Sequence, residues 1–496
     1  MKVNLDIGPK YYQSVKSTLE VLLPEVDFYH TEEVVEGVTV IGELDTSEGI
    51  EVNSYLQDGS FLKDNIKDKE ILSDIYSEED FTKRVKERLK LSLYRLLTKY
   101  LKQKMSPWGI LIGVRPTKIG HYLLDRGFDY PTIDNYLEDI YGVAKEKRKL
   151  LLDVIKLERN YLPNQEKAKN KVNIYVGIPF CPTRCNYCSF ASYPIKSNQR
   201  YMPDFLKALY YEIEEVGKVV NGLGLEVDTL YLGGGTPTVL SAEELDKLLS
   251  LLKIYFVHPK LREFTVEAGR ADTINRAKLK LLKDYGVERI SINPQTMNQV
   301  TLDEIGRRHS VEEVIEAFNE AREIGFKNIN MDIIIGLPNE DLSDVEHTLD
   351  EIEKLKPDSF TVHTLAIKRA SRLKKNLADN DLSSAREVEK MIQLTEELAE
   401  KLGLIPYYMY RQKHILGNLE NVGYARSGEE SIYNIIMMEE RETVIGLGGG
   451  AITKLVNPKD WSLERLYNPK FPEQYSSEIE ERAIEKISKL KKFYTK

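Results

Sequence analysis

The sequence predicts an α/β chain: a parallel sheet with helices packed outside it, joined to a smaller α+β domain and to a mixed, helix-rich C-terminal region. Two observations carry this. From residue 171 onward, short apolar runs alternate with amphipathic helical stretches, six times over. Polar or glycine-rich motifs then stand at the C-terminal end of run after run. Strands that alternate with helices need crossover connections, which cover both faces of a parallel sheet. Right-handed crossovers curl such a sheet into a full or partial barrel, and the C-terminal ends of its strands form the functional edge.

The elements follow in chain order. Residues 1–105 combine two alternating runs, Val38–Glu43 and Ile50–Tyr55, with a long amphipathic stretch, Glu79–Gln103, as expected of a small α+β domain. The basic stretch Lys83–Arg95 is matched by nearby acids and reads as a solvated helix face. Residues 106–170 form a helical connector, opened by the loop from Trp108 and Gly109 to Thr117 and closed by the polar run Asn164–Lys171. The core is expected over 171–380, with strands at Val172–Ile178, Thr229–Leu232, Glu263–Glu267, Arg289–Ile292, Asn328–Ile335 and Ser359–Thr364. Ser241 with Glu244, and Ser310 with Glu313, have capping-box spacing before apolar helical stripes, and Gly325 follows the second stripe as a stop. Residues 381–496 begin with a helix, Ala385–Leu402, and continue into a mixed region that contains Gly446–Ala451.

Composition narrows the function. A net charge of −9 argues against a nucleic-acid surface. No run of 18 apolar residues is present, and Met1–Lys10 lacks the pattern of a secretory signal, so a cytoplasmic protein is expected. All three cysteines fall at Cys181, Cys185 and Cys188. An odd number in one short window is a metal or redox site in a reducing compartment rather than a disulfide framework.

The Cys-x3-Cys-x2-Cys motif directly follows the first core strand. Three thiolates can hold three irons of a cubane cluster and leave the fourth iron open to a small chelating molecule. The alternative is a zinc knuckle, but structural zinc takes four ligands and the chain has no fourth cysteine. Gly233-Gly234-Gly235-Thr236-Pro237 ends the second strand, where glycines let a ligand approach the backbone closely. Glu267, Gln295, Gly336-Leu337-Pro338 and His363 to Ala366 end the next four.

These residues carry a resemblance. Tyr175-Val-Gly-Ile-Pro-Phe-Cys181, the three-cysteine spacing, the GGGTP run and Gly336-Leu-Pro resemble the oxygen-independent coproporphyrinogen III oxidase family of radical S-adenosylmethionine (SAM) enzymes. Gly177, the segment Gly113–Lys118, the segment His363–Arg369 and the segment Gly417–Ala425 resemble its HemZ branch. The resemblance implies a radical SAM partial (β/α)6 TIM-like barrel with a [4Fe–4S] cluster on Cys181, Cys185 and Cys188. It implies SAM contacts from Tyr175 and Tyr187 near the cluster, and from Gly234, Gly235 and Thr236 at the amino acid part. Glu267, Gln295, Arg307 and Asp332 would be polar contacts at later strand ends, and Ala366 and Ile452 apolar contacts to the nucleoside. A structural ion pair is the alternative for Arg307 and Asp332.

The implied reaction is the oxidative decarboxylation of two propionates of coproporphyrinogen III, giving protoporphyrinogen IX in anaerobic porphyrin and haem biosynthesis. Arg115, Lys118, Lys368, Arg369, Arg411 and Lys413 are candidates for holding the substrate carboxylates, with plain surface charge as the alternative. A small electron donor such as ferredoxin or flavodoxin is the expected partner. Three departures from the HemN pattern stand out: Phe190 replaces a fourth cysteine, Gly177 a histidine and Arg270 a proline. The first puts a second bound SAM in doubt. Two rivals share the fold: a haem carrier of the HemW kind, and a radical SAM enzyme acting on haem. The His-Asn-x-x-Tyr-Trp stretch typical of the carrier is not found; Trp461 is followed by Ser and Leu.

Overall fold

The structure, a computed structural model, describes residues 1–30, 36–59, 61–71, 81–366, 383–412 and 415–495. Two compact units form: Met1–Ile155 with Tyr410–Glu420, and Lys156–Met409 with Asn421–Lys496. The four segments expected from sequence are thus distributed over two bodies. Residues 1–105 share one with most of 106–170, and the core shares the other with most of the C-terminal region.

The first unit is built on a five-stranded sheet of β1 (Lys2–Asp6), β2 (Asp27–His30), β3 (Val38–Asp45), β4 (Glu51–Asp58) and β5 (Phe61–Lys69), in the order β2-β1-β3-β4-β5. Val52, Ser54 and Leu56 alternate inward along β4, as the period of a half-buried strand requires. The helix Phe81–Leu101 buries Val85, Leu89, Leu93 and Leu96. Leu89 and Leu93 reach Gly42 of β3, and Ser92 shares a buried hydrogen bond of 2.7 Å with Ser54.

Arg411 also belongs to this unit, and its expected role as a substrate contact is corrected here. It is 1% exposed. Its guanidinium donates to the carbonyls of Leu111, Leu419 and Asn418 and lies over the Trp108 ring. Burial pushes its pKa down to about 10. An arginine enclosed by three carbonyls braces the chain and has no fork left for a propionate.

The second unit carries the core. Its main strands are β6 (Lys171–Ile178), β9 (Glu226–Gly234), β10 (Glu263–Glu267), β11 (Arg289–Ser291), β12 (Asn328–Ile335) and β13 (Ser359–Thr364), each parallel to the next. The short pair β7 (Phe180–Cys181) and β8 (Tyr193–Pro194) flanks the cysteine loop. The C-terminal region extends the sheet at both edges. β14 (Ile405–Tyr410) and β15 (Asn421–Ala425) add beyond β13, while β16 (Thr443–Gly448), β17 (Ile452–Val456) and β18 (Leu463–Tyr467) add beyond β6. The result is one 11-stranded sheet. β6 and β13 are not neighbours in it, so the six core strands form an open arc, a partial barrel.

Local signals explain the helices between them. The helices Ala242–Phe256 and Val311–Ile324 both start with complete capping boxes, and Gly325 closes the second with φ 100°. Each such cap stabilises its helix by about 1 kcal/mol.

A buried ionic knot fixes the turn between β16 and β17. Glu212, from the helix Met202–Gly222, accepts hydrogen bonds from the Gly448 N–H (2.7 Å), Asn468 Nδ2 (2.9 Å), the Tyr475 hydroxyl (2.6 Å) and Lys486 Nζ. Lys486 lies on the C-terminal helix Pro472–Tyr494 and also donates to the Gly446 carbonyl. The turn so held packs onto β6: the Gly449 N–H donates to the Gly177 carbonyl at 3.1 Å. A Cβ at Gly177 would stand 3.0 Å from the Gly449 carbonyl oxygen. The close approach of that turn favours glycine at 177, where the HemN pattern has a histidine.

Candidate radical SAM site

Cys181 ends β7, and Cys185 and Cys188 follow in the loop that returns to β8. The loop is anchored on the segment after the helix Gln299–Glu304. The Asn186 N–H donates to the Ile305 carbonyl (2.9 Å), Asn186 Nδ2 to the Glu304 carbonyl (2.7 Å) and Thr183 Oγ1 to the Gly306 carbonyl (2.8 Å). The GGGTP run closes the other side: the Gly235 N–H donates to the Ile178 carbonyl (2.7 Å) and the Thr236 N–H to the Phe180 carbonyl (2.8 Å). A Cβ at Gly235 would stand 2.4 Å from the Phe180 oxygen and 3.0 Å from Cys181 Sγ, so only glycine fits.

These residues fit a three-thiolate cluster. All three cysteines are free thiols. Thr236 Oγ1 donates to Cys181 Sγ (3.4 Å), and Arg270 Nη1 lies 3.9 Å from Cys185 Sγ. A donor and a cation beside sulfur stabilise an anionic thiolate set. Burial pushes the Cys181 and Cys188 thiols above their ordinary range, so bound iron is what would hold them ionised.

Arg270, which stands where the HemN pattern has a proline, therefore has a role beside the cluster ligands that its sequence context did not reveal. Its guanidinium forks onto both oxygens of Asp272, at 3.0 Å each, and reaches Thr183 Oγ1 at 3.1 Å. Asp272 in turn faces His309 Nδ1 at 3.8 Å. Arg307 and Asp332 form no ion pair with each other. Arg307 donates to the carbonyls of Gly269 (3.0 Å) and Asn293 (2.6 Å) and to the Tyr187 hydroxyl (3.2 Å), which ties the cysteine loop to two strand ends.

The second cluster of polar groups runs along the sheet: Glu267 ends β10 as expected, but Asp332 lies inside β12, three residues before its last, and His363 is next to last in β13. Tyr231 donates to Glu267 Oε1 at 2.6 Å. A Cβ at Gly233 would meet Glu267 Oε2 at 2.9 Å, so that glycine makes room for the carboxylate. Burial pushes Glu267 up to about 7, and neighbouring Asp332 adds to the rise. Asp332 accepts from Asn330 Nδ2 (2.7 Å) and lies 3.6 Å from His363 Nε2. For Asp332 burial acts upward but His363 and Asn330 outweigh it, so its pKa falls. Gln295 bonds across to β12 through its peptide: its N–H donates to the Asp332 carbonyl and its carbonyl accepts from the Ile334 N–H. It does so at φ 71°, a strained conformation for a residue with a Cβ.

Tyr175 lies below these groups in a stack with Tyr231 (centroids 6.2 Å apart) and Tyr433 (6.2 Å). Sequence reasoning named only Tyr175. Strand alternation held a signal for Tyr231, because Tyr231 and Gly233 pair in register with Tyr175 and Gly177. Tyr433 had none, since it arrives on a helix from the C-terminal region. Ala366 follows the end of β13 and Ile452 opens β17, at opposite flanks of this edge. Arg115 and Lys118 lie in the first unit, around the start of the helix Thr117–Asp125. Lys368, Arg369 and Lys413 lie outside the described residues.

Comparison with known proteins agrees with this geometry. Residues 175–352 match the radical SAM superfamily. The chain is 40% identical to the oxygen-independent coproporphyrinogen-III oxidase-like protein HemZ of Bacillus subtilis, over 94% of this chain and 93% of that one. It belongs to the HemZ family of radical SAM proteins. The heme chaperone HemW of B. subtilis is 33% identical to this radical SAM protein over 56% of its chain and 69% of HemW. Among solved structures, coproporphyrinogen III oxidase HemN from Escherichia coli superposes with a TM-score of 0.51 at 25% identity, covering 63% of this chain and 70% of HemN. The cofactors of the radical SAM protein are a [4Fe–4S] cluster and SAM. No helix among the described residues is long and apolar enough to cross a membrane.

Proposed function

We propose that this protein is a coproporphyrinogen III dehydrogenase that removes CO2, one hydrogen atom and one electron from each of two propionates, leaving vinyl groups. What supports this reading is the likeness, over nearly the whole chain, to a coproporphyrinogen-III oxidase-like protein, together with the intact three-cysteine loop. When bound, the reduced cluster and SAM would supply the one-electron chemistry for hydrogen abstraction from the propionate β-carbon. The chain's own residues orient and shield that chemistry. Glu267 and Asp332 hold the ribose hydroxyls. Gly234, Gly235 and Thr236 seat the amino acid part, Tyr175 and Tyr187 close the cluster side, and Gln295 adds a polar contact. Ala366 and Ile452 border the nucleoside. Arg307 acts mainly through Tyr187, which it holds. Arg115 and Lys118 remain proposed propionate contacts, and the expected compartment is the cytoplasm.

Anaerobic incubation of reconstituted protein with dithionite, SAM and coproporphyrinogen III, followed by mass spectrometry, tests the reading. Loss of two CO2 per substrate alongside 5′-deoxyadenosine is expected. A second reading, haem handling, draws support from the HemW likeness and from Phe190, which stands where HemN has a cysteine. Tight stoichiometric haem binding without decarboxylation would favour it and sink the first.

The Glu267 carboxylate adds a pH dependence. Its pKa in the fold, about 7, lies above the ordinary 4.5. Its contribution to folding is therefore fully present below pH 4.5 and is lost as pH rises through 7. SAM affinity runs the other way, because ribose hydroxyls donate to the ionised form. Between pH 8 and pH 6 the SAM dissociation constant is expected to rise about tenfold. Equilibrium binding should show that slope in the native protein and a flat profile in Glu267→Gln; the same slope in both would reject the assignment.

A further inference from the structure

The cluster loop has an outer face that the proposed chemistry does not use. From Lys167 to Pro203 the sequence holds no aspartate or glutamate, in a chain whose net charge is −9. From Cys181 onward its cations are Arg184, Lys196 and Arg200. Phe190, two residues beyond Cys188, is 69% exposed. Next to it the chain forms an aromatic ledge: Phe471 packs edge-on against Tyr193 (5.3 Å between centroids) and Tyr201 (5.3 Å), and Arg200 lies 4.7 Å over the Tyr201 ring. Lys470 joins the same face through Gly450, whose Cβ position lies 3.4 Å from Ala191 Cβ and 3.6 Å from Lys470 Cγ. Lys196, Arg200 and Lys470 are all exposed. The nearest acids in sequence, Asp204 and Glu473, open the two helices that lead away from this surface.

The face lies against the cluster ligands. Tyr193 and Pro194 form β8, and Pro194 pairs directly with Cys181 of β7. Paired strands stand about 5 Å apart. An electron arriving at β8 therefore reaches a ligand thiolate without crossing the barrel.

We propose that this basic, aromatic face docks a small acidic one-electron carrier protein, which reduces the cluster across β8. The inference rests on the cluster assignment above and names the partner surface of that site. The carrier gives up one electron and is oxidised by one; the cluster is reduced by one, and no atom or proton crosses the interface. An exposed phenylalanine supplies apolar contact, and the three exposed cations supply steering toward an acidic partner.

The test compares two reductants for 5′-deoxyadenosine formation: dithionite, which needs no docking, and an acidic flavodoxin in its fully reduced state. The measured quantity is the ratio of the flavodoxin-driven to the dithionite-driven rate at subsaturating carrier. In Lys196→Glu/Arg200→Glu/Lys470→Glu that ratio is expected to fall by about tenfold or more, and the native sensitivity of the flavodoxin rate to added salt should flatten. Normalising to dithionite removes any general loss of folding or cluster content. A ratio within twofold of native, with unchanged salt sensitivity, overturns the docking face and leaves the cluster assignment standing. Native protein that cleaves no SAM with dithionite overturns the cluster assignment, and the docking face with it.

Discussion

Cys185→Ala is expected to reduce 5′-deoxyadenosine formation below detection and to lower the iron and sulfide content of the reconstituted protein. Cys185 is the most enclosed of the three thiols, 8% exposed, with Arg270 beside its sulfur. A site with three ligands has no spare, so removing one leaves two irons without protein support. The loop itself should survive. Asn186 and Thr183 hold it through the carbonyls of Ile305, Glu304 and Gly306, none of which involves a thiol. Circular dichroism should therefore be unchanged, separating loss of the cluster from loss of the fold. Retention of SAM cleavage in this variant would place the cluster elsewhere.

Lys486→Met is expected to lower the stability of the second unit by about 3–5 kcal/mol, because it leaves the Glu212 carboxylate buried without its cation. Lys486 and Glu212 are 2% and 0% exposed at their side chains. Glu212 would retain Tyr475, Asn468 and the Gly448 N–H, three donors but no compensating charge. The double variant Glu212→Gln/Lys486→Met removes both charges and should recover much of the loss. Chemical denaturation of the native protein, Lys486→Met, Glu212→Gln and the double variant closes the cycle that gives the coupling between the two residues. A double variant as unstable as the single would show that packing, not charge, holds the knot.

The core strands were legible because each carries its own evidence. Glu263–Glu267, Asn328–Ile335 and Ser359–Thr364 match their expected bounds, being apolar runs bracketed by helix caps and strand-end motifs. The Ser241 and Ser310 capping boxes are short-range features, and both form as their spacing predicts. The five added strands β14–β18 were not legible. Ile405–Tyr410 is apolar without alternation, and Thr443–Gly448 is buried on both faces with two glycines, so neither shows a period. Their places beside β13 and β6 depend on pairing between segments far apart in sequence. Arg411 shows the same limit in a single side chain. Nothing local distinguishes a carboxylate-binding arginine from one that braces Leu111, Leu419 and Asn418. The strand-end residues could be named because topology alone sets which end of a parallel sheet is functional. The Arg270–Asp272–His309 chain could not, because it depends on side-chain directions in a loop.

The knot at Lys486 also sets a clock. Roughly 300 residues separate the last cysteine from the lysine that pins the turn against β6, and synthesis at about 5–20 residues per second takes on the order of 15–60 s to cover them. Throughout that interval the nascent chain has three thiols but neither β16 beside β6 nor the knot that fixes its glycine turn. Until iron and sulfide reach them, its three reduced sulfurs are open to oxidation. Growth conditions that slow translation or admit oxygen should act on maturation first, before any effect on turnover.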